Sequence, residues 1–194
     1  MKKTLSLIAA CAVAGFLSTP AQAADQYMSI AGGVSWMNEA DLDSGITGTA
    51  AIGCDYGDTR LEAEMGYQNG SAEYVGANMF SIAAMPRISE VDVDVYTLMA
   101  NGYYDIDLGG VDLYAMAGVG VAQVAIDVND GWYKDNETTL AYQFGAGLAA
   151  PVGDGVMLDA KYRYFTTTEL DMLGGGVDGQ VSSHSALLGL RVNL

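Results

Sequence analysis

The sequence predicts an all-β fold, an eight-stranded antiparallel up-and-down transmembrane β-barrel. Three observations carry this expectation. Polar and apolar side chains alternate with a period of two along the chain beyond residue 24. The alternating segments are joined by short and long connections in turn. No apolar run in this region reaches the ~18 residues expected of a membrane helix.

The first residues read as an export signal. Lys2 and Lys3 form a positive start, Leu5 to Leu17 an apolar stretch, and Ala21-Gln22-Ala23 a small-x-small cleavage site. Residues 1–23 are therefore expected to be removed, leaving a barrel domain over 24–194. Ile8-Ala9-Ala10-Cys11 also resembles a lipoprotein box, in which Cys11 would be lipidated. The apolar run continues past it to Leu17, which favours ordinary cleavage. Cys54 is then the last thiol, and the fold must hold without an intramolecular disulfide.

Strands are expected at 26–36, 46–54, 59–68, 93–105, 111–124, 138–150, 156–165 and 182–194. The clearest is the third. Arg60, Glu62, Glu64 and Gly66 share one face there, and Leu61, Ala63, Met65 and Tyr67 the other. A strand separates these two sets, whereas a helix would scatter them around its circumference. In the fifth and sixth strands Gly118 and Gly120 oppose Val119 and Val121, and Gly145 and Gly147 oppose Phe144 and Leu148. Asp159, Lys161 and Arg163 alternate along the seventh, and Leu190, Val192 and Leu194 along the eighth. Segments of this length suit barrel strands, which need ~9–11 residues when tilted.

The short connections, 55–58, 106–110 and 151–155, are rich in Gly and Asp and turn-like. The long ones are 37–45, 69–92, 125–137 and 166–181. Short turns should face the periplasm and long connections the exterior, with both chain ends on the periplasmic side.

Alternation alone does not choose between a membrane barrel and a soluble one. The apolar face carries aromatics at strand ends, Trp36, Tyr56, Tyr67, Tyr96, Tyr104, Tyr142, Tyr162 and Tyr164. Such residues build interfacial girdles, with the ring buried and the hydroxyl wet. The opposite face is often glycine, so a narrow barrel would have little interior to fill and would turn its bulk to lipid. The polar face concentrates charge that could pair across a lumen. Arg60, Glu62, Glu64, Asp159, Lys161, Arg163 and Arg191 are expected there, with Asn101 and Gln143 nearby, as a network that plugs the barrel. No catalytic, metal or cofactor site is expected.

Charge narrows the partners. The eight basic residues include Lys2 and Lys3, so six remain against 24 acidic ones, a balance of −18 after cleavage. Phosphate backbones would be repelled, which excludes nucleic acid. A hydrophobic share of 51% with 12 tyrosines argues against disorder. Thirteen acidic residues fall in the long connections, against Arg87 and Lys134. They read as a solvated surface, with diffuse divalent-cation attraction beside lipopolysaccharide as the alternative.

Five stretches taken together resemble the opacity-protein-like surface antigens, porin-like outer-membrane barrels akin to the OmpA membrane domain. They are Arg60–Tyr67, Met99–Asp105, Leu113–Ala122, Ala141–Leu148 and Leu158–Phe165. The end of the chain, with Gly189 followed by Leu190, Val192 and Leu194, resembles the family's assembly signal, although Leu194 replaces the usual aromatic. The resemblance implies a cell outer membrane location in a Gram-negative bacterium, insertion by the barrel-assembly machinery, and contact with outer-membrane lipid and lipopolysaccharide. It implies a surface ligand through the long loops without naming one. The function implied is non-enzymatic, whether structural, in envelope integrity or adhesive.

Two other functions suit a barrel of this size, a narrow channel and a lipid A-modifying enzyme. Enzymes of the latter kind place a histidine and a serine on one strand face. The lone histidine, His184, has Ser183 and Ser185 on the opposite face, only Ser182 on its own, and Ala186 where lipid A deacylases carry their serine. Asp127-Val128-Asn129-Asp130-Gly131 begins like a calcium loop, but its glycine comes one place early and no matching Glu follows.

Overall fold

A computed structural model describes residues 24–37, 44–72, 91–128, 133–168, 170–172, 177–179 and 181–194. The proposed leader, residues 1–23, lies outside them. Ten strands form. They are β1 (Asp25–Met37), β2 (Gly45–Asp55), β3 (Thr59–Ala72), β4 (Val91–Asp107), β5 (Asp112–Val128), β6 (Tyr133–Gly153), β7 (Val156–Thr167), β8 (Leu170–Met172), β9 (Val177–Gly179) and β10 (Ser182–Asn193). Eight of these close into a barrel in the order β1-β10-β7-β6-β5-β4-β3-β2, and β8 and β9 pair separately as a small hairpin.

Every barrel pairing is antiparallel, and β1 closes against β10 with Tyr27 opposite Asn193 and Met37 opposite Ser183. Closure leaves no free edge in the barrel wall, as a sheet crossing a membrane requires. The three short turns sit at one end. In the first, the Tyr56 amide donates to the Thr59 carbonyl at 2.9 Å and the Gly57 amide to Asp55 Oδ1 at 2.9 Å. Gly57 adopts φ +95° there, a region closed to most side chains. At the third turn the β6–β7 register shifts between Pro151 and Gly153. A bulge at this point accommodates a proline that has no amide to give the ladder.

The strand plan differs from expectation at the other end. β3 runs on to Ala72 and β4 begins at Val91. Most of 125–137, expected as a connection, is paired strand, with Val128 opposite Tyr133. β4 and β5 have 17 residues each and β6 has 21, against 11 for β2 and 12 for β7. One side of the barrel therefore extends beyond what a membrane needs. A strand leaving the bilayer has water on both faces, and the start of β6, Lys134-Asp135-Asn136-Glu137, has lost the alternation by which it would be recognised.

The wall is inverted relative to a soluble protein. Ile30, Met65, Val119 and Leu188 are each more than 60% exposed, while Glu64, Gln143 and Arg163 are buried. Apolar bulk points outward and the ionic groups point into the lumen, which is the arrangement of a barrel solvated by lipid.

Candidate functional site

The lumen holds the candidate site. At the turn end, Arg60 forms a two-pronged ion pair with Asp105, Nε to Oδ2 at 2.7 Å and Nη2 to Oδ1 at 2.8 Å. Its guanidinium lies 4.2 Å from the ring centre of Tyr103 and 5.1 Å from that of Tyr114. The planar group thus gains both a carboxylate and aromatic faces. Tyr114 donates its hydroxyl to Asp159 at 2.6 Å. Arg191 lies over Tyr27 and 3.8 Å from Asp112.

Glu62 stands one layer further in and takes its hydrogen bonds from neutral donors. These are Tyr103 at 2.7 Å, Tyr27 at 3.1 Å, Ser29 at 3.3 Å and Asn101 at 3.4 Å. The chain of bonds then crosses the lumen. Gln143 donates to Asn101 at 2.7 Å and to Glu64 at 3.1 Å. Glu64, at 0% exposure, also receives Lys161 at 3.2 Å and Arg163 at 3.4 Å. Arg163 reaches on to the Thr47 hydroxyl at 3.0 Å. Of the nine residues singled out from sequence, Glu62, Glu64, Asn101, Gln143, Lys161 and Arg163 share this one network. Arg60, Asp159 and Arg191 occupy the tyrosine-rich layer beside it.

Sequence reasoning missed two features. The first is the set of inward tyrosines, Tyr27, Tyr103 and Tyr114, which corrects the expectation of an interior with little to fill. Their signal was present, because Tyr103 shares parity with Asn101 and because glycines stand where the rings need space. A Cβ at Gly53 would collide with the Tyr27 ring, and one at Gly147 with the Tyr114 ring. The second is an apolar stopper in the half nearer the long connections, formed by Val95, Met99, Ala122, Val124, Ala141 and Phe165. Between the two layers a cavity of about 20 Å³ remains, lined by Glu62, Asp159 and Lys161 among others. That is room for about one water molecule.

His184 lies outside this network, on the outer wall. Its Nδ1 is 2.6 Å from the Tyr162 hydroxyl, and its ring stacks on Trp36 at 6.2 Å with the planes 15° apart. Ser183 and Ser185 point into the lumen, fully buried. The other girdle aromatics face outward, Tyr67 packing on Tyr96 at 5.2 Å and Tyr142 on Phe144 at 6.0 Å. Cys54 is half-buried and unpaired. Asp130 and Gly131 of the would-be calcium loop lie outside the described residues.

Residues 9–193 match the outer membrane protein beta-barrel domain, and the chain belongs to that family. The outer membrane protein PagN of Salmonella typhimurium is 30% identical over 140 residues, 64% of this chain and 59% of PagN. The chain thus matches less than two thirds of that relative's length. Among solved structures, Neisserial surface protein A aligns with a TM-score of 0.65 at 19% identity, covering 87% of this chain and 97% of that one. Ail, the attachment invasion locus protein of Yersinia pestis, was solved in complex with the heparin analogue sucrose octasulfate. It aligns at 0.55 and 16% identity, covering 88% and 99%. These two likenesses bear on the fold. The protein is a small barrel of the outer membrane.

Proposed function

We propose that this barrel is a non-enzymatic surface protein whose lumen is a plug rather than a path, and whose duties are structural or adhesive. The observation that carries the reading is the double seal across the lumen, the network on Glu64 below and the stopper around Phe165 above. With the lumen filled, only the outer wall and the long connections are left to meet a partner. β4, β5 and β6 extend the wall toward those connections. Residues 1–23 are a leader removed at Ala23, which N-terminal sequencing of the mature protein tests. Assembly follows from insertion by the barrel-assembly machinery.

Adhesion of the kind that the name of Ail describes supplies one candidate activity, but the ligand chemistry differs. A heparin analogue is a polyanion, and segments 37–45, 69–92, 125–137 and 166–181, connections and strand ends together, carry thirteen acidic residues against Arg87 and Lys134. Like charge repels such a ligand, so the partner is cationic or bridged by divalent ions, as at a lipopolysaccharide surface. A lipid A-modifying reaction finds less support, because His184 is engaged by Tyr162 and stacked on Trp36, while Ser182 is bonded to Thr166. The test is a pair of assays on the refolded full chain. Lipid A mass should be unchanged on incubation, and immobilised heparin should fail to retain the protein at physiological salt. Mass loss from lipid A would replace this reading by the enzymatic one.

A further inference from the structure

The half of the lumen nearer the long connections has two unlike sides. β4 to β7 contribute the apolar stopper. β1, β2, β3 and β10 contribute hydroxyls and an amide, Ser35, Thr47, Gln68, Ser183 and Ser185, each at most 4% exposed. Alternation on β10 turns Ser183 and Ser185 inward together, and the register sets Ser185 between Ser35 of β1 and Arg163 of β7.

Hydrogen bonds and register close these residues into a ring. Arg163 crosses the lumen to donate Nη2 to the Thr47 hydroxyl at 3.0 Å, and Thr47 stands opposite Gln68 on the next strand. Ser183 donates to Gln68 Oε1 at 3.1 Å, which returns the ring to β10. Ser185 follows on the same face and leads back to Arg163. Three polar atoms of this ring, Arg163 Nε, Ser185 Oγ and Gln68 Nε2, are buried without a partner among the described residues. Buried polar groups are seldom left unmatched, so three on one ring call for a guest. Two further orphaned atoms lie elsewhere, Gln143 Oε1 on an amide turned to Glu64 and Asn101, and Arg191 Nη1 in the tyrosine-rich layer.

We infer that this ring holds one halide ion, chloride under physiological conditions, with the lumen filled as proposed above. Charge selects an anion. Lys161 and Arg163 share a single carboxylate, Glu64, which leaves one positive charge in excess there, and a buried charge needs a counter-charge. Donor type favours an anion over water. Guanidinium and amide N–H groups only donate, whereas water must also find acceptors. Those of the ring are in use, Gln68 Oε1 accepting from Ser183 and Thr47 Oγ1 from Arg163. Size selects a monatomic ion, since cross-lumen bonds of 3.0 and 3.1 Å draw the ring too tight for phosphate or sulfate. Such an ion is trapped as the barrel closes and forms part of the plug.

The experiment has two readouts on the refolded full chain. Crystals grown with bromide in place of chloride are measured at the bromine absorption edge, and one anomalous peak is expected among Arg163 Nε, Ser185 Oγ and Gln68 Nε2. Urea midpoints in detergent are compared in chloride and in gluconate at equal ionic strength. Chloride should raise the midpoint saturably, as a ligand of the folded state does. Ser185→Ala removes a hydroxyl without a partner among the described residues, so the barrel should fold. Half-saturation should then need roughly tenfold more chloride, the scale of one hydrogen bond to a charge. General salt effects act on both proteins alike and leave that difference intact. A water without anomalous signal in the ring overturns the inference. So does a midpoint indifferent to chloride, or a Ser185→Ala barrel that responds as the wild type does. Should Ser185→Ala not fold, the bromide map of the wild type still decides. Steady conductance by the wild type would fail the plug, whereas a sealed barrel without halide in the ring fails the site alone.

Discussion

Removing the Glu64 carboxylate tests the network at its most connected point. Glu64 is fully buried with Lys161 at 3.2 Å, Arg163 at 3.4 Å and Gln143 at 3.1 Å. At such separations each cation attracts the carboxylate by about 5 kcal/mol in an effective dielectric of about 20. Desolvation of the three groups offsets most of that gain, so the intact network contributes little net stability. Truncation is different, because Glu64→Ala leaves two cations buried without their anion, at a cost of about 3–5 kcal/mol. The lower end is expected here. Arg163 keeps the Thr47 hydroxyl at 3.0 Å. Water admitted by the truncation can also reach Arg163 Nε and Gln143 Oε1, which have no protein partner among the described residues. The assay is urea unfolding in detergent, comparing midpoints at a shared slope. Adding Lys161→Met should recover about 1–3 kcal/mol, since one stranded cation then disappears. A Glu64→Ala barrel within about 0.5 kcal/mol of wild type would refute the argument, that being the range of an ordinary surface change.

Other parts of the lumen make sharper or milder demands. Phe165→Ala, in a stopper where Phe165 is only 2% exposed, should cost about 3–5 kcal/mol by the same unfolding measurement. Gly53→Val should prevent folding, because even a Cβ collides with the Tyr27 ring. Shortening that ring with Tyr27→Leu should restore the heat-modifiable band on gels. Deleting residues 73–90, between β3 and β4, should leave that band intact, since connections tolerate loss better than strands. Adhesion by intact cells, where wild type shows it, should fall on the same deletion.

The membrane-spanning part of the barrel was legible because lipid on one side and a narrow interior on the other force a period of two. Arg60, Glu62 and Glu64 on β3, and Asp159, Lys161 and Arg163 on β7, are read from that period alone. Their partners were less legible. Asp105 and Asp112 sit at strand ends, where a carboxylate reads as part of a solvated turn. Tyr103 and Tyr114 are large rings on a face where glycines suggest a narrow interior, and only parity with the glycines that face them places them inward. The start of β6 was hidden for another reason, since Lys134-Asp135-Asn136-Glu137 carries polar residues on both faces. His184 was correctly separated from Ser183 and Ser185 by parity, but its stacking on Trp36 depends on the pairing of β1 with β10, which one strand's sequence does not state.

The most direct test of the sealed lumen is ion conductance of the wild-type barrel in a planar lipid bilayer. The residual cavity of about 20 Å³ and the two seals predict no steady open level, and at most rare brief events. Phe165→Ala combined with Glu64→Ala should raise the current wherever that variant inserts. A large, steady conductance from the wild-type protein would contradict the plug and move the function from the surface into the lumen.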